Sequence, residues 1–208
     1  MHKFNIRSQG RSLEKASKAM ILLHGRGSTA EDILSLGSAF CDESFYIAAP
    51  QATNQTWYPH SFLVEENLNE PWLSAAVEVV SRLIEETSKH IPKEHIYIMG
   101  FSQGACLALE VTAKFAAKYG GVIAFSGGLI GSKVDVKKYH GDFEKTKIFI
   151  GVSDHDPHIP LVRTEESKEV LEKLGAVVTL KVYKGSDHTV RQDEIDCVKK
   201  LYGLKSKR

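Results

Sequence analysis

Cysteine, net charge and long apolar runs are the scarce features of this 208-residue chain. Cys41, Cys106 and Cys197 are odd in number, widely spaced and in no metal-ligand pattern, which excludes a disulfide scaffold and a zinc finger. They read as small buried hydrophobes kept reduced, with the cytoplasm as the expected compartment. Lys and Arg number 27 against 26 Asp and Glu, a net charge of +1, so the electrostatic basis for a dedicated nucleic-acid or anionic-membrane binder is missing. The opening MHKFNIRSQG holds no apolar core of signal-peptide length, and no later run approaches the roughly 18 residues that span a bilayer. Neither a repeat nor a low-complexity tract occurs, and Lys205-Ser206-Lys207-Arg208 reads as a solvated basic end.

What the chain does have is an alternation of short apolar runs with amphipathic stretches. With 42% hydrophobic residues, it reads as one globular domain over residues 1–208. Ala19–Leu23 is a continuous apolar run stopped by His24-Gly25, as a strand buried on both faces should be. Ser28-Thr29-Ala30-Glu31 reads as a capping box that opens a helix through Phe40. Strands are expected at Phe45–Ala49, Ile96–Met99, Val122–Phe125, Ile148–Val152 and Val177–Val182. A long helix places Leu73, Val77, Val80 and Ile84 on one stripe, with Glu78, Arg82 and Glu85 away from it. Further helices follow Gly104, to Lys118, and lie at Arg163–Leu174 and Arg191–Leu201. Strictly alternating strands and helices predict an α/β fold, a mainly parallel sheet with helices on both faces. In such folds ligands sit at the carboxyl ends of the strands, so the segments after each run are where chemistry is sought.

Four of those segments carry unusual residues. Gly100-Phe101-Ser102-Gln103-Gly104 is a G-x-S-x-G between a strand and a helix, the sharp turn that lifts a nucleophilic hydroxyl clear of a sheet. A serine needs a base to take its proton, and Gly185-Ser186-Asp187-His188-Thr189 supplies His188 after the last strand. His2, His60, His90, His95 and His140 fall at the terminus, in loops or at helix ends and read as surface residues. Asp154 and Asp156, in the loop after Ile148–Val152, are the candidates to orient His188. Asp154, His155, Asp156 and His158 also suggest a metal site, but His24 and His60 are the only obvious further donors, and the orienting acid is the better account. Leu23-His24-Gly25-Arg26-Gly27-Ser28 is a glycine-loosened loop after the first strand. The backbone N–H groups of Arg26 and Gln103 are the expected oxyanion donors.

With Ser102, Asp156 and His188 in that order, the chain resembles the α/β-hydrolases. More narrowly, it resembles the phospholipase/carboxylesterase family that includes acyl-protein thioesterases and small bacterial carboxylesterases. The likeness rests on Leu23-His24-Gly25-Arg26-Gly27, Gly100-Phe101-Ser102-Gln103-Gly104-Ala105, Ser126-Gly127-Gly128-Leu129, Asp156-Pro157-His158-Ile159-Pro160 and the Gly-x-x-His that ends at His188. It implies an α/β-hydrolase fold without a large lid, no cofactor and no metal. The implied function is serine carboxylic-ester hydrolysis through an acyl-enzyme, on small to medium acyl esters or thioesters or on lysophospholipid-like esters. A non-catalytic ligand-binding relative is the alternative. The expected partner is a small-molecule ester, with no nucleic acid and no stable membrane insertion; a homodimer is compatible with this reading.

The chain departs from the family pattern at two places. The segment Gly151-Val152-Ser153-Asp154-His155-Asp156 is two residues longer than usual. The Asp-Pro match points to Asp156, which Pro157 confines to extended backbone, while the spacing from Gly151 points to Asp154. Arg26 stands where acyl-protein thioesterases tend to carry an apolar residue, and it is expected to disfavour long acyl chains. Trp57 and Tyr58 are expected to line the substrate pocket.

Overall fold

The computed structural model describes residues 1–205; the basic end read as a solvated tail lies outside them from Ser206 onward. Seven strands form one sheet. They are β1 (Ile6–Gly10), β2 (Lys18–Leu23), β3 (Phe45–Pro50), β4 (Ile96–Phe101), β5 (Gly121–Phe125), β6 (Lys147–Ser153) and β7 (Val177–Tyr183), in the order β1-β3-β2-β4-β5-β6-β7. All neighbours are parallel except β1, which runs antiparallel to β3. The helices are α1 (Ala30–Gly37), α2 (Trp72–Ser88), α3 (Gln103–Lys114), α4 (Leu161–Lys173) and α5 (Gln192–Tyr202). No helix among the described residues is long and apolar enough to cross a membrane.

The continuous apolar runs follow from burial on both faces. Along β2, side chains alternate between two cores: Ala19, Ile21 and Leu23 pack with α2 and α3, and Met20 and Leu22 pack with α1. The second core also takes Phe125, Phe149 and Val198 of α5. Helix α3 lies against the middle of the sheet and is buried from Gln103 to Ala113, which explains its run of Ala and Leu. In α2 the predicted stripe is buried at Leu73, Val80 and Ile84 and half-buried at Val77, and Glu78, Arg82 and Glu85 face solvent.

The structure corrects the sequence reading at several boundaries. Strand β1 is not expected from its sequence, because IRSQG is polar and all but its first residue are exposed; it forms on the free edge of β3, where the backbone ladder supplies the stabilisation. The capping box of α1 is one residue later than its sequence suggests, at Thr29 and Asp32, because Asp32 Oδ2 collects the Thr29 N–H, the Thr29 hydroxyl and the Ser28 hydroxyl. That helix ends at Gly37 rather than Phe40, and α3 ends at Lys114 rather than Lys118.

The chain leaves β2 toward β3 on one side and leaves β4 toward β5 on the other. The winding therefore reverses beside β2 and β4, and a crevice opens beyond their carboxyl ends. Behind it, a buried carboxylate pins the segment after β5 to α3. Glu110 is fully buried; its Oε2 accepts from Tyr139 Oη at 2.8 Å and from the Ile130 N–H at 3.1 Å, and Lys138 Nζ lies 2.9 Å from Oε1. Removing such an anion strands the buried Tyr139 hydroxyl and the buried Ile130 N–H, and takes one of two carboxylates from Lys138, which also pairs with Glu66. Glu110→Ala is expected to lower unfolding free energy by about 3 kcal/mol or more in urea titrations. A change below about 0.5 kcal/mol, the size of ordinary surface substitutions, would show that the network is not a structural anchor.

Candidate active site

Ser102 sits between β4 and α3 with φ 55° and ψ −120°, a backbone conformation that L residues rarely adopt. Such strain costs about 1–3 kcal/mol and persists only where the surroundings enforce it. Here they do: Ser102 N–H donates to Phe125 O at 2.9 Å, and Cys106 N–H to Ser102 O at 3.0 Å. The flanking glycines are obligatory. A Cβ on Gly104 would collide with the carbonyls of Leu23 and His24, and one on Gly100 with the Gly104 backbone.

The hydroxyl that this turn lifts up meets an imidazole. Ser102 Oγ lies 2.8 Å from His188 Nε2, and His188 Nδ1 lies 2.8 Å from Asp156 Oδ2. The other carboxylate oxygen of Asp156 accepts the N–H groups of His158 at 2.8 Å and Ile159 at 3.0 Å. Burial pushes the Asp156 carboxyl up, but the His188 hydrogen bond and these two N–H groups outweigh it and hold the group below its ordinary value. Asp156 is therefore an acceptor that keeps His188 Nδ1–H in place. Asp154, the alternative acid, turns away: its Oδ1 pairs with His155 Nδ1 at 2.7 Å and accepts the Gly185 N–H at 2.9 Å. It closes the turn that carries His188 but does not touch the ring.

Two donors face the same place. The N–H groups of Arg26 and Gln103 make no hydrogen bond to another group among the described residues; Gln103 is the first residue of α3, whose leading N–H groups have no intrahelical partner. Both residues line the cleft above Ser102, which has a volume of about 530 Å³. Tyr58, Phe62, Cys106 and Ile159 are among its lining residues.

The side chains of the same two residues hold the cleft wall. Gln103 Oε1 accepts the Trp57 N–H at 2.9 Å and its Nε2 donates to Tyr58 O at 2.8 Å. Arg26 donates from Nη1 to Pro59 O at 2.9 Å and from Nη2 to His60 O at 2.8 Å. Trp57 is a correction to the sequence reading. It is fully buried beneath the site, its Nε1–H donates to His24 O at 2.9 Å, and it does not reach the cleft. Tyr58 does line the cleft. His2 is also not a free surface residue, since its Nε2 is 2.8 Å from Trp57 O.

Sequence reasoning missed the residues that hold the His188 loop. Ser153 Oγ donates to Asp187 O at 2.6 Å and accepts from Arg191 Nη2 at 2.9 Å, tying the residue before His188 to the end of β6. It also missed His158, whose ring stands edge-on to that of His188 with centroids 4.9 Å apart. No periodicity or spacing announces either contact. Among the described residues no three His, Cys, Asp or Glu side chains are grouped to hold a metal ion. His24, named as a donor to such a site, is buried with Nδ1 2.8 Å from Gly25 O and Nε2 accepting the Ala52 N–H at 3.1 Å.

Known proteins share this sequence pattern and this fold. A model of the phospholipase/carboxylesterase family matches residues 8–202. A crystal structure of a phospholipase/carboxylesterase from Dyadobacter fermentans superposes with a TM-score of 0.94 at 45% identity, covering 97% of each chain. Acyl-protein thioesterase 1 of Saccharomyces cerevisiae is 35% identical over 114 residues, 54% of this chain and 50% of that protein. The chain spans about half the length of the curated relatives it matches. The esterase PE8 structure, at 23% identity and a TM-score of 0.76 over 95% of this chain and 96% of that one, shares the fold.

Two measurements test this geometry. Asp156→Asn removes the acceptor that orients His188 and is expected to cost up to about 10⁴-fold in any Ser102-dependent turnover, whereas Asp154→Asn costs about tenfold or less. The reverse ranking would give the orienting role to Asp154. His24 supplies the second: burial lowers its pKa, against the raising effect of the Gly25 carbonyl. Its neutral form is favoured by folding, so stability is fully present above the ordinary histidine range, near 6.5, and falls as pH drops through the lowered folded value. His24→Gln should flatten the slope of urea midpoint against pH between about 7.5 and 5; an unchanged slope would rule out His24 as its source.

Proposed function

The chain belongs to the phospholipase/carboxylesterase family, and from that premise we propose that it is a serine carboxylic-ester hydrolase in which Ser102, His188 and Asp156 form the catalytic triad. The observation that carries this reading is the continuous hydrogen-bonded line from Ser102 Oγ through the His188 ring to Asp156, each link 2.8 Å. Ser102 Oγ attacks the acyl carbon while His188 Nε2 takes its proton. The carbonyl oxygen, now negative, sits between the N–H groups of Arg26 and Gln103, each donor of this kind being worth about 10²–10³ in rate. His188 then passes the proton to the leaving alcohol or thiol, and the C–O or C–S bond breaks to leave an acyl-Ser102 ester. Water, deprotonated by the same nitrogen, adds to that ester, and the acid is released with Ser102 restored.

Acyl esters and thioesters of small to medium chain length suit the cleft. Its buried lining includes Tyr58, Phe62, Cys106 and Ile159, and its exposed lining includes Arg26 and His60. The three cysteines are unpaired thiols, two of them buried, which suits a reducing compartment, and we place the protein in the cytoplasm on that ground.

Ser102→Ala is expected to reduce hydrolysis of a 4-nitrophenyl ester by about 10³–10⁶-fold without loss of fold, because the side chain lies in a turn open to the cleft. A chelator should leave the wild-type rate unchanged, since Asp154 and Asp156 are already engaged by His155 and His188. A variant that kept a tenth of the wild-type rate, or activity that was lost to chelation and restored by zinc or manganese, would overturn the assignment.

A further inference from the structure

The cleft over Ser102 is electrostatically lopsided. Its lining includes Arg26, His60, His158 and His188, and no aspartate or glutamate. Two acids beside it are already engaged: Asp156 by His188 and two backbone N–H groups, and Asp32, on the adjoining groove, by Ser28 and Thr29. No ion pair among the described residues includes Arg26.

The Arg26 guanidinium is nonetheless held still. Its bonds to Pro59 O and His60 O fix its plane through neutral acceptors that leave the charge uncompensated. A guanidinium carries five N–H donors. Two are spent on those carbonyls, and the rest remain for a partner. A fixed, uncompensated guanidinium at the exposed rim of a binding cleft is matched by a carboxylate, which it can engage with charge-assisted hydrogen bonds at little further cost in side-chain freedom.

The position of the adjoining groove says which part of the substrate bears that carboxylate. This groove runs past His188 along Ile33, Leu36, Thr189 and Val190 and does not include Arg26. His188 lines both the groove and the main cleft, and since it hands its proton to the leaving oxygen, the groove offers the leaving group a place away from Arg26. Arg26 stands in the main cleft with Tyr58 and Phe62, where the acyl part remains.

We propose that this site takes esters or thioesters whose acyl part ends in a free carboxylate, the half-esters of short dicarboxylic acids, and that the Arg26 side chain binds that carboxylate. The inference rests on the hydrolase reading above. The reaction is unchanged in form: water adds across the acyl C–O bond, releasing the alcohol and a dicarboxylate, with one proton liberated near neutral pH.

The test compares hydrolysis, followed by pH-stat, of monoethyl glutarate and monoethyl adipate with ethyl pentanoate and ethyl hexanoate of matching length. Wild-type protein at low ionic strength should show kcat/KM for the anionic esters higher by about tenfold or more, a ratio that falls as salt is raised. Arg26→Gln should bring the ratio close to one, with Arg26→Lys between. Because the side chain also braces the cleft wall, both variants lower turnover of every ester, and the ratio is what reports recognition. Equal loss of both classes in Arg26→Gln, or a wild-type preference for the neutral esters, would overturn the inference and leave the hydrolase reading standing. Absence of turnover for both classes in the wild type would overturn the hydrolase reading, and this inference with it.

Discussion

A single hydrogen bond, from Ser102 Oγ to His188 Nε2, joins positions 86 residues apart in the chain, and the rest of the site is arranged around it. It cannot form unless the turn after β4 is forced into its positive-φ shape and the loop after β7 is brought back over the sheet. The first condition is met by the buried helix α3, the two glycines without room for a Cβ and the Phe125 carbonyl that holds the Ser102 amide. The second is met by Asp156, by Asp154 at Gly185, and by the Ser153–Arg191 pair at Asp187. Backbone strain at Ser102 is thus sustained by packing remote from the reacting atoms.

Gln103 and Arg26 link this line to the cleft. Each offers a free backbone N–H beside Ser102 and uses its side chain to hold the wall made by residues 57–60. Electrostatic stabilisation of a developing oxyanion depends on donors that need not reorganise as charge appears. In this fold the proposed donors belong to the same two residues that brace the wall, which would couple substrate shape to oxyanion geometry. The wall in turn stands on Trp57 and His24, whose buried contacts explain why Trp57 sits below the cleft while Tyr58 and Phe62 of the same loop line it.

Much of this arrangement is legible in the amino-acid sequence. The runs that form β2 to β6 are apolar because both faces of the sheet are covered there, and the candidate site residues Arg26, Ser102, Asp156 and His188 stand after strand ends. What is not legible there has physical reasons. Strand β1 is polar and exists through backbone pairing with β3, which leaves no apolar pattern to read. The choice between Asp154 and Asp156 turns on a two-residue insertion, whose placement only the folded loop reveals. The side-chain tasks of Arg26, Gln103, Ser153 and Arg191 depend on carbonyl acceptors contributed by distant residues, and nothing in the polar neighbours of Trp57 indicates that His24 lies against it.

The central claim is that the strained turn and its hydrogen-bonded partners make Ser102 a nucleophile. The most direct measurement is reaction with a fluorophosphonate followed by peptide mass mapping, in wild-type protein and in His188→Ala. Stoichiometric phosphonylation confined to Ser102, slowed by orders of magnitude when His188 is removed, is the predicted result. Modification at another residue, or labelling of Ser102 at an equal rate without His188, would contradict the account.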